Sequence, residues 1–175
     1  MTEQPEKTPP QENSQAEASK SQSEFRKDMG KGKTVLLVDD DLTTSTLIKN
    51  HLKECEFEVL EAIHGKDAWF KIKPGVKPCL IICDVLMPEM DGFSLFKQLR
   101  QNEETKNIPI LIISSRKTMG DTFLTLGADA FIPKPLDIKE FLKTVQVLAE
   151  RGHEAVNQTP AKESPAPGSD EEKKI

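Results

Sequence analysis

Short, almost wholly apolar runs recur through the middle of this chain, and segments with helical periodicity separate them. Three of the runs are Thr34–Val38, Leu80–Cys83 and Ile108–Ile113. A strand needs such a run when helices cover both faces of its sheet, because neither face then contacts water. Between the runs, apolar residues recur every three or four positions, as on the buried side of a helix. The pattern predicts five strand–helix units, and therefore an α/β fold with a doubly wound, five-stranded parallel sheet.

Apolar residues are scarce at the two ends of the chain. Residues 1–32 contain five of them, and residues 152–175 contain another five. Segments of this composition cannot bury enough surface to offset the entropy lost on ordering. We therefore expect one domain of ordinary size at residues 33–151, flanked by a disordered N-terminal tail (1–32) and a disordered C-terminal tail (152–175).

Composition argues against several classes of protein. Acidic residues outnumber basic ones by 29 to 24, whereas sequence-independent nucleic-acid binding needs clustered Lys and Arg. No apolar run approaches the ~18 residues of a membrane helix, and the N-terminus lacks the apolar core of a secretory signal. Cys79 and Cys83 lie in or beside an apolar run, which favours buried free thiols in a reducing compartment. We expect a cytoplasmic protein that binds neither nucleic acid nor membrane.

Polar and charged residues follow the predicted strands at their carboxyl ends. In chain order these are Asp39, Asp40 and Asp41, then Asp84, then Ser114 and Ser115, and finally Lys134. Parallel strands bring their carboxyl ends to one edge of the sheet, where ligands bind in such folds. Several carboxylates at close quarters repel one another, and Mg²⁺ commonly relieves that repulsion. A carboxylate beside a metal ion, a lysine and a hydroxyl is suited to phosphoryl transfer.

Four motifs occur in order between residues 33 and 150, namely VLLVDDD, LIICDVLMPEMDG, ILIISS and FIPKPL. Together they resemble the receiver domain of two-component response regulators. The resemblance implies a (βα)5 flavodoxin-like receiver fold. It also implies a phosphoacceptor signalling module with Mg²⁺ as cofactor, which catalyses only its own phosphorylation and dephosphorylation.

The resemblance also implies a role for particular residues. Asp84 would be the phosphoacceptor, and Mg²⁺ would be held by Asp39, Asp40, Asp84 and the backbone carbonyl of Leu86. Ser114 would hydrogen-bond the phosphoryl group, Lys134 would pair with it, and Phe131 would be an aromatic switch that turns inward when Ser114 moves towards phosphate. Each residue also has a plain structural reading, and Phe131 taken alone is equally a core residue.

Two side chains are expected to tune hydrolysis of the phosphorylated form. In the receiver fold, the positions two residues after the phosphoacceptor and two after the hydroxyl residue flank the attacking water. Here they are Leu86 and Arg116. Leucine offers no hydrogen bond to orient water, so we expect a persistent phosphoryl group.

The expected partners are proteins. Phosphate would come from a histidine kinase or a phosphotransfer protein. Too few residues follow Gly152 for an output domain, so we expect a stand-alone receiver that acts by protein contact. In the family this contact is commonly made by the fourth helix, fifth strand and fifth helix, here about residues 117–150.

An enzyme is the alternative hypothesis. Asp39 to Thr43 fit the D-x-D-x-T nucleophile motif of haloacid-dehalogenase-like phosphatases, with Asp39 as nucleophile and Asp41 as acid/base. That mechanism needs a further acidic pair near the C-terminus, and Gly120-Asp121 is the nearest approach to it. The simpler reading of Asp41 is a cap at the start of a helix.

Overall fold

The computed structural model describes residues 28–72 and 76–158. Five parallel strands form one sheet in the order β2-β1-β3-β4-β5. The strands are β1 (Thr34–Val38), β2 (Glu58–Ala62), β3 (Leu80–Asp84), β4 (Ile110–Ser114) and β5 (Ala130–Pro133). The helices are α1 (Leu42–Glu54), α2 (Gly65–Ile72), α3 (Gly92–Gln101), α4 (Gly120–Thr125) and α5 (Ile138–Gln158), with a 3₁₀ turn (Lys117–Met119) before α4. The predicted α/β fold is confirmed.

Each strand divides its side chains between two core layers. On β1, Val35 and Leu37 pack into a first layer with α1 and α5, while Leu36 and Val38 pack into a second layer with α2, α3 and α4. All four side chains are completely buried. This two-sided burial is the reason that the strand sequences are apolar throughout instead of alternating with polar residues.

Strand order reverses beside β1. The first crossover places β2 on one side of β1, and the next places β3 on the other side. Helices leave the carboxyl ends of β1 and β3 towards opposite faces, so a crevice opens between those ends. A binding site is therefore expected at the residues that follow these two strands.

The ordered domain begins before the predicted boundary at residue 33. The N–H of Gly30 donates to the carbonyl oxygen of Cys55 at 2.8 Å, and Met29 packs against the first core layer. Residues 28–32 therefore belong to the domain, and their assignment to a disordered tail was wrong. Residues 1–27 lie outside the described part of the chain.

The domain also extends beyond the predicted boundary at residue 151. Helix α5 continues to Gln158, and Gly152 is buried so closely that a Cβ there would lie 1.7 Å from the carbonyl oxygen of Cys79. Residues 152–158 are helical, so the prediction of disorder was wrong for them. The helix can approach the strand layer this closely because Gly152 has no side chain. Residues 159–175 lie outside the described part of the chain.

Helix α4 is the shortest α-helix of the described residues. A 3₁₀ turn precedes it, and the α-helical part has only six residues. Gly127 adopts φ +97° just after the helix, a conformation that glycine tolerates best. Two large apolar side chains, Leu47 on α1 and Phe93 on α3, are partly exposed, at 45% and 37%.

Candidate functional site

Three carboxylates converge where β1 and β3 end. One oxygen from each of Asp39, Asp40 and Asp84 lies within 4.8 Å of the others. Val38 pairs with Cys83 in the sheet register, so the residues that follow them leave neighbouring strands at the same level. Asp39 and Asp84 are buried, whereas Asp40 is exposed.

Lys134 bridges the two buried carboxylates. Its Nζ donates to Asp84 Oδ2 at 2.8 Å and to Asp39 Oδ2 at 3.0 Å. Lys134 follows β5 and is joined to Pro135 by a cis peptide bond. Its side chain thus reaches past β4 to β3 and β1, and it is only 18% exposed. The predicted lysine is therefore part of the cluster and not an ordinary surface residue.

Backbone N–H groups hold the second oxygen of each buried carboxylate. The N–H of Val85 donates to Asp84 Oδ1 at 2.6 Å, and the N–H of Asp41 donates to Asp39 Oδ1 at 2.9 Å. Each carboxylate is thus held between a backbone donor and the ammonium group. Sequence reasoning missed these two donors, because a backbone N–H leaves no trace in the identity of the side chain.

Charge at this site is not balanced. Burial raises the pKa of Asp39, more than its hydrogen bonds from Asp41 N–H and Lys134 lower it. For Lys134, burial lowers the pKa, but the hydrogen bonds to Asp84 and Asp39 outweigh burial and raise it overall. A protonated lysine therefore faces carboxylates whose combined negative charge exceeds its own, which favours a further cation.

The donor atoms at this cluster suit Mg²⁺. Carboxylate and carbonyl oxygens are the ligands that this hard cation prefers. Within the described ranges, no second group of three acidic, His or Cys side chains lies close enough to share an ion. The structure thus brings together the three carboxylates that the sequence predicts as metal ligands.

Ser114 lies beside the acidic cluster at the end of β4. Its side chain is completely buried, and its Oγ accepts a hydrogen bond from the N–H of Arg116 at 3.1 Å. Its carbonyl oxygen accepts from the N–H of Lys134 at 2.8 Å, which ties the ends of β4 and β5 together. Ser115 and Arg116 are exposed.

Phe131 and Ser114 project from the same face of the sheet. Phe131 pairs with Ile112 in register, and both pack with the second core layer. Ser114 stands two residues after Ile112 and therefore points to the same side. The Phe131 ring is half-buried against this layer. Leu86, at 42% exposure, lies in the loop that follows Asp84.

Gly92 allows α3 to begin close to the phosphoacceptor candidate. Its N–H donates to the carbonyl oxygen of Val85 at 2.9 Å, and a Cβ at this position would lie 2.1 Å from the carbonyl oxygen of Asp84. A larger residue would push the helix away from the strand end. The glycine of the MPEMDG motif thus has a steric reason.

Asp41 does not join the cluster. Its carboxylate accepts hydrogen bonds from the N–H groups of Thr43 and Thr44, at 3.1 and 3.3 Å, and caps α1. Hydrogen bonds from Thr44 and Thr43 lower the pKa of Asp41. Asp121 is exposed in α4. These positions give the phosphatase hypothesis neither its acid/base nor its second acidic pair.

Comparison with known proteins identifies the family. Residues 35–146 match the response regulator receiver domain. The chemotaxis protein CheY1 of Helicobacter pylori is 38% identical over 120 residues, which cover 67% of this chain and 91% of that protein. Histidine kinase P4 of Formosa agariphila is also 38% identical, over 67% of this chain, but the aligned segment is only 8% of the kinase. Only a receiver-sized segment is shared with that kinase.

Solved structures agree with this assignment. The receiver domain of Francisella response regulator 1452 is 32% identical, with a TM-score of 0.62, and the match covers 68% of this chain and 98% of that one. Response regulator TrrA of Thermotoga maritima, solved in complex with Mg²⁺ and BeF, is 26% identical with a TM-score of 0.60, covering 66% and 98% of the two chains. With its fold, its acidic cluster and its lysine bridge, this chain belongs to the response regulator receiver domain family.

Proposed function

We propose that Asp84 accepts a phosphoryl group from a histidine kinase or a phosphotransfer protein. The observation that carries this proposal is the lysine bridge, in which Lys134 Nζ contacts one oxygen of Asp84 while a backbone N–H holds the other. These two contacts orient the carboxylate at the crevice. Asp84 is the member of the cluster that ends β3 within the motif LIICDVLMPEMDG.

The transfer is a substitution at phosphorus. An oxygen of Asp84 forms the new bond as the phosphorus–nitrogen bond of the donor histidine breaks, and the leaving imidazole keeps the electron pair. Lys134 then exchanges part of its contact with Asp84 for the phosphoryl oxygens and balances their charge. Asp39 keeps its own hydrogen bond to Lys134 and so holds the ammonium at the site.

Mg²⁺ is the proposed cofactor. Asp39, Asp40, Asp84 and the backbone carbonyl of Leu86 would hold it, and the ion would offset negative charge on the phosphoryl oxygens. The raised pKa of Asp39, caused first by burial, supports a site where an additional cation is favourable. The Mg²⁺–BeF complex of the Thermotoga relative gives further support.

Ser114 and Phe131 form the proposed switch. A hydrogen bond to the phosphoryl group would draw the Ser114 hydroxyl away from the N–H of Arg116 and vacate space on the sheet face that Phe131 shares. A phenylalanine has no hydroxyl that must lose water when it turns inward. We therefore expect the unphosphorylated protein already to sample the inward ring.

Leu86 and Arg116 are the proposed determinants of how long the phosphoryl group persists. Leu86 is partly exposed in the loop after Asp84, where an apolar side chain shields the approach of water without orienting it. Arg116 is exposed two residues after Ser114. We propose slow hydrolysis as the consequence, with both transfer and hydrolysis confined to the protein's own aspartate.

The output is proposed to be contact with a downstream protein in the cytoplasm. The expected surface lies at about residues 117–150, which include α4, β5 and most of α5. The buried thiols Cys79 and Cys83 support a reducing compartment, and burial raises the pKa of Cys79 to about 11. No helix within the described residues has the length and apolarity needed to cross a membrane.

Chemical trapping tests the site of phosphorylation. The chain is phosphorylated in the presence of Mg²⁺, the acyl phosphate is trapped by reduction, and the labelled residue is identified by mass spectrometry. We expect label at Asp84, none in Asp84→Asn, and undiminished label in the control Asp129→Asn, which alters an acid at the opposite edge of the sheet. Label at Asp39 with none at Asp84 would refute the proposal.

A further inference from the structure

Gly120 occupies a position where the backbone does not require glycine. It begins α4 with φ −55° and ψ −55°. This is an ordinary right-handed helical conformation, which residues with a side chain adopt without strain. Glycine also has a lower helix propensity than alanine. Since the conformation gives no reason for glycine, we infer that the reason is the space that the absent side chain leaves.

The ring of Phe131 fills that space. A Cβ at Gly120 would lie 3.0 Å from Cδ1, 3.3 Å from Cε1 and 3.4 Å from Cγ of this ring, and these are its three nearest atoms. At Gly92 and Gly152 the nearest atoms are backbone carbonyl oxygens instead. Gly120 is therefore matched to one side chain, the candidate switch, whereas the other two glycines are matched to the main chain.

Helix α4 contacts α3 through its next buried residue. The ring of Phe123, which is completely buried, packs edge-on against Phe93 at 5.8 Å and against Phe96 at 5.6 Å between ring centroids. One short helix thus touches the Phe131 ring at its first residue and two rings of α3 one turn later. A change in the position of the Phe131 ring would therefore alter the packing of both helices.

We propose that Gly120 is a positioning residue that lets the Phe131 ring pack beneath α4, and that this packed ring belongs to the phosphorylated state. The inference rests on the proposed function, in which Phe131 responds to Ser114. Both side chains project from the same sheet face. A methyl group at residue 120 would lie 3.0 Å from Cδ1 of the ring, closer than ordinary contact, so the ring would have to shift away from the start of α4.

The test is the affinity of the full chain for beryllofluoride with Mg²⁺, measured by calorimetry. Gly120→Ala should weaken binding by about fivefold, the scale of one displaced side-chain rotamer. In a Phe131→Ala background the same substitution should have no effect, because the ring it opposes is gone. Thr122→Ala is the matched control, since it raises helix propensity at an exposed position of α4 and should leave the affinity unchanged.

The ring itself gives a second readout. In a chain labelled with fluorophenylalanine, the Phe131 signal should move towards its solvent-exposed value in Gly120→Ala and stay unchanged in Thr122→Ala. Unchanged or tighter binding by Gly120→Ala, or an equal loss in both backgrounds, would overturn the inference. Binding that survives Asp84→Asn would instead refute the proposed function, and this inference with it.

Discussion

Charged side chains cluster at both edges of the sheet, but the two clusters differ in the sign of their excess charge. The carboxyl-edge cluster comprises Asp39, Asp40, Asp84 and Lys134, and the amino-edge cluster comprises Arg100, Asp129 and Arg151. The first combines three carboxylates with one ammonium group. The second combines one carboxylate with two guanidinium groups, at the start of β4 and β5. One edge carries excess negative charge, and the other carries excess positive charge.

The amino-edge cluster is satisfied by the protein itself. Arg100 donates to Asp129 at 2.8 Å and also to the carbonyl oxygens of Gly127, Lys106 and Ile108. Asp129 accepts in addition from the N–H of Ile110 and from Arg151. Because backbone carbonyl oxygens accept hydrogen bonds from the remaining N–H groups of Arg100, this cluster needs no ligand.

The carboxyl-edge cluster is not satisfied in the same way. Its only cationic side chain, Lys134, is shared between Asp39 and Asp84, while Asp40 remains exposed beside them. Uncompensated charge of this kind costs stability and is typical of sites that bind a ligand. The amino-edge cluster therefore stabilises the fold, whereas the carboxyl-edge cluster is suited to binding a ligand.

Removing Asp40 should have the largest effect on activity. Asp40→Ala takes one proposed ligand from Mg²⁺, and we expect Mg²⁺-dependent phosphorylation to be abolished while the fold stays intact or gains stability from reduced repulsion. The rate of phosphorylation and the urea midpoint measure the two effects. Unchanged phosphorylation would count against the metal assignment.

The neighbouring Asp41 provides the control for this experiment. Its carboxylate caps α1 and lies outside the cluster. Asp41→Ala should keep phosphorylation but lower the free energy of unfolding, because the hydrogen bonds that cap the helix are lost. The two adjacent substitutions should therefore have opposite consequences.

Breaking the amino-edge cluster should reduce stability and spare activity. Asp129→Ala leaves two guanidinium groups, one of them mostly buried, without their carboxylate, and we expect a loss of about 2 kcal/mol in the free energy of unfolding. Urea denaturation measures this loss. Glu103→Ala is the control, because its partner Lys106 is a surface residue and such pairs contribute little. Loss of phosphorylation in a folded Asp129→Ala would contradict the division between the two edges.

Persistence of the phosphoryl group tests the apolar side chain beside the carboxyl-edge cluster. Leu86→Asn supplies a group that can orient water in line with phosphorus, and we expect dephosphorylation to accelerate about tenfold, equivalent to ~1.4 kcal/mol of barrier. The decay of label is followed after the donor is removed. An equal or slower rate in the variant would show that Leu86 does not limit hydrolysis.

The sequence was sufficient to predict the carboxyl-edge cluster because strand geometry determines it. Asp39 and Asp84 each follow an apolar run, and parallel strands bring their carboxyl ends to one edge of the sheet. Ser114 follows by the same argument. The same argument places Lys134 at this edge, and the family resemblance implies that it pairs with phosphate. Its bridge to Asp39 and Asp84 was not predicted, since nothing in residue spacing states how far a side chain extends across a sheet.

The amino edge and the end of α5 could not be predicted in this way. Gly152 looks like a helix stop, yet it is buried against the carbonyl oxygen of Cys79, and Arg151 beside it pairs with Asp129. Both contacts join residues far apart in the chain. Neither Gly152 nor Arg151 adds to the pattern of apolar residues from which the boundary was predicted. A boundary judged from apolar content therefore ended the domain too early.

The smallest predicted effect concerns the pH dependence of stability at the carboxyl edge. Burial raises the pKa of Asp39 above its ordinary value of 3.8, so in this region the folded state binds a proton that the unfolded state has released. Stability is then lost as pH rises from about 4. Asp39→Asn removes this cost and should be slightly more stable than the wild type at pH 7 without Mg²⁺.

Asp41 should show the opposite sign, which makes the pair a sharp test. Hydrogen bonds from Thr44 and Thr43 lower its pKa, so its contribution is present above pH 3.8 and is lost as pH falls through the lowered value. Asp41→Asn should therefore be less stable than the wild type at pH 7. Urea denaturation between pH 7 and pH 4 should show the advantage of Asp39→Asn shrinking as pH falls, because Asp39 of the folded wild type takes up a proton and the cost of its buried charge is lost. An advantage that stays constant with pH would mean that repacking, and not charge, separates the variant from the wild type, and the carboxyl edge would then carry no stored electrostatic cost.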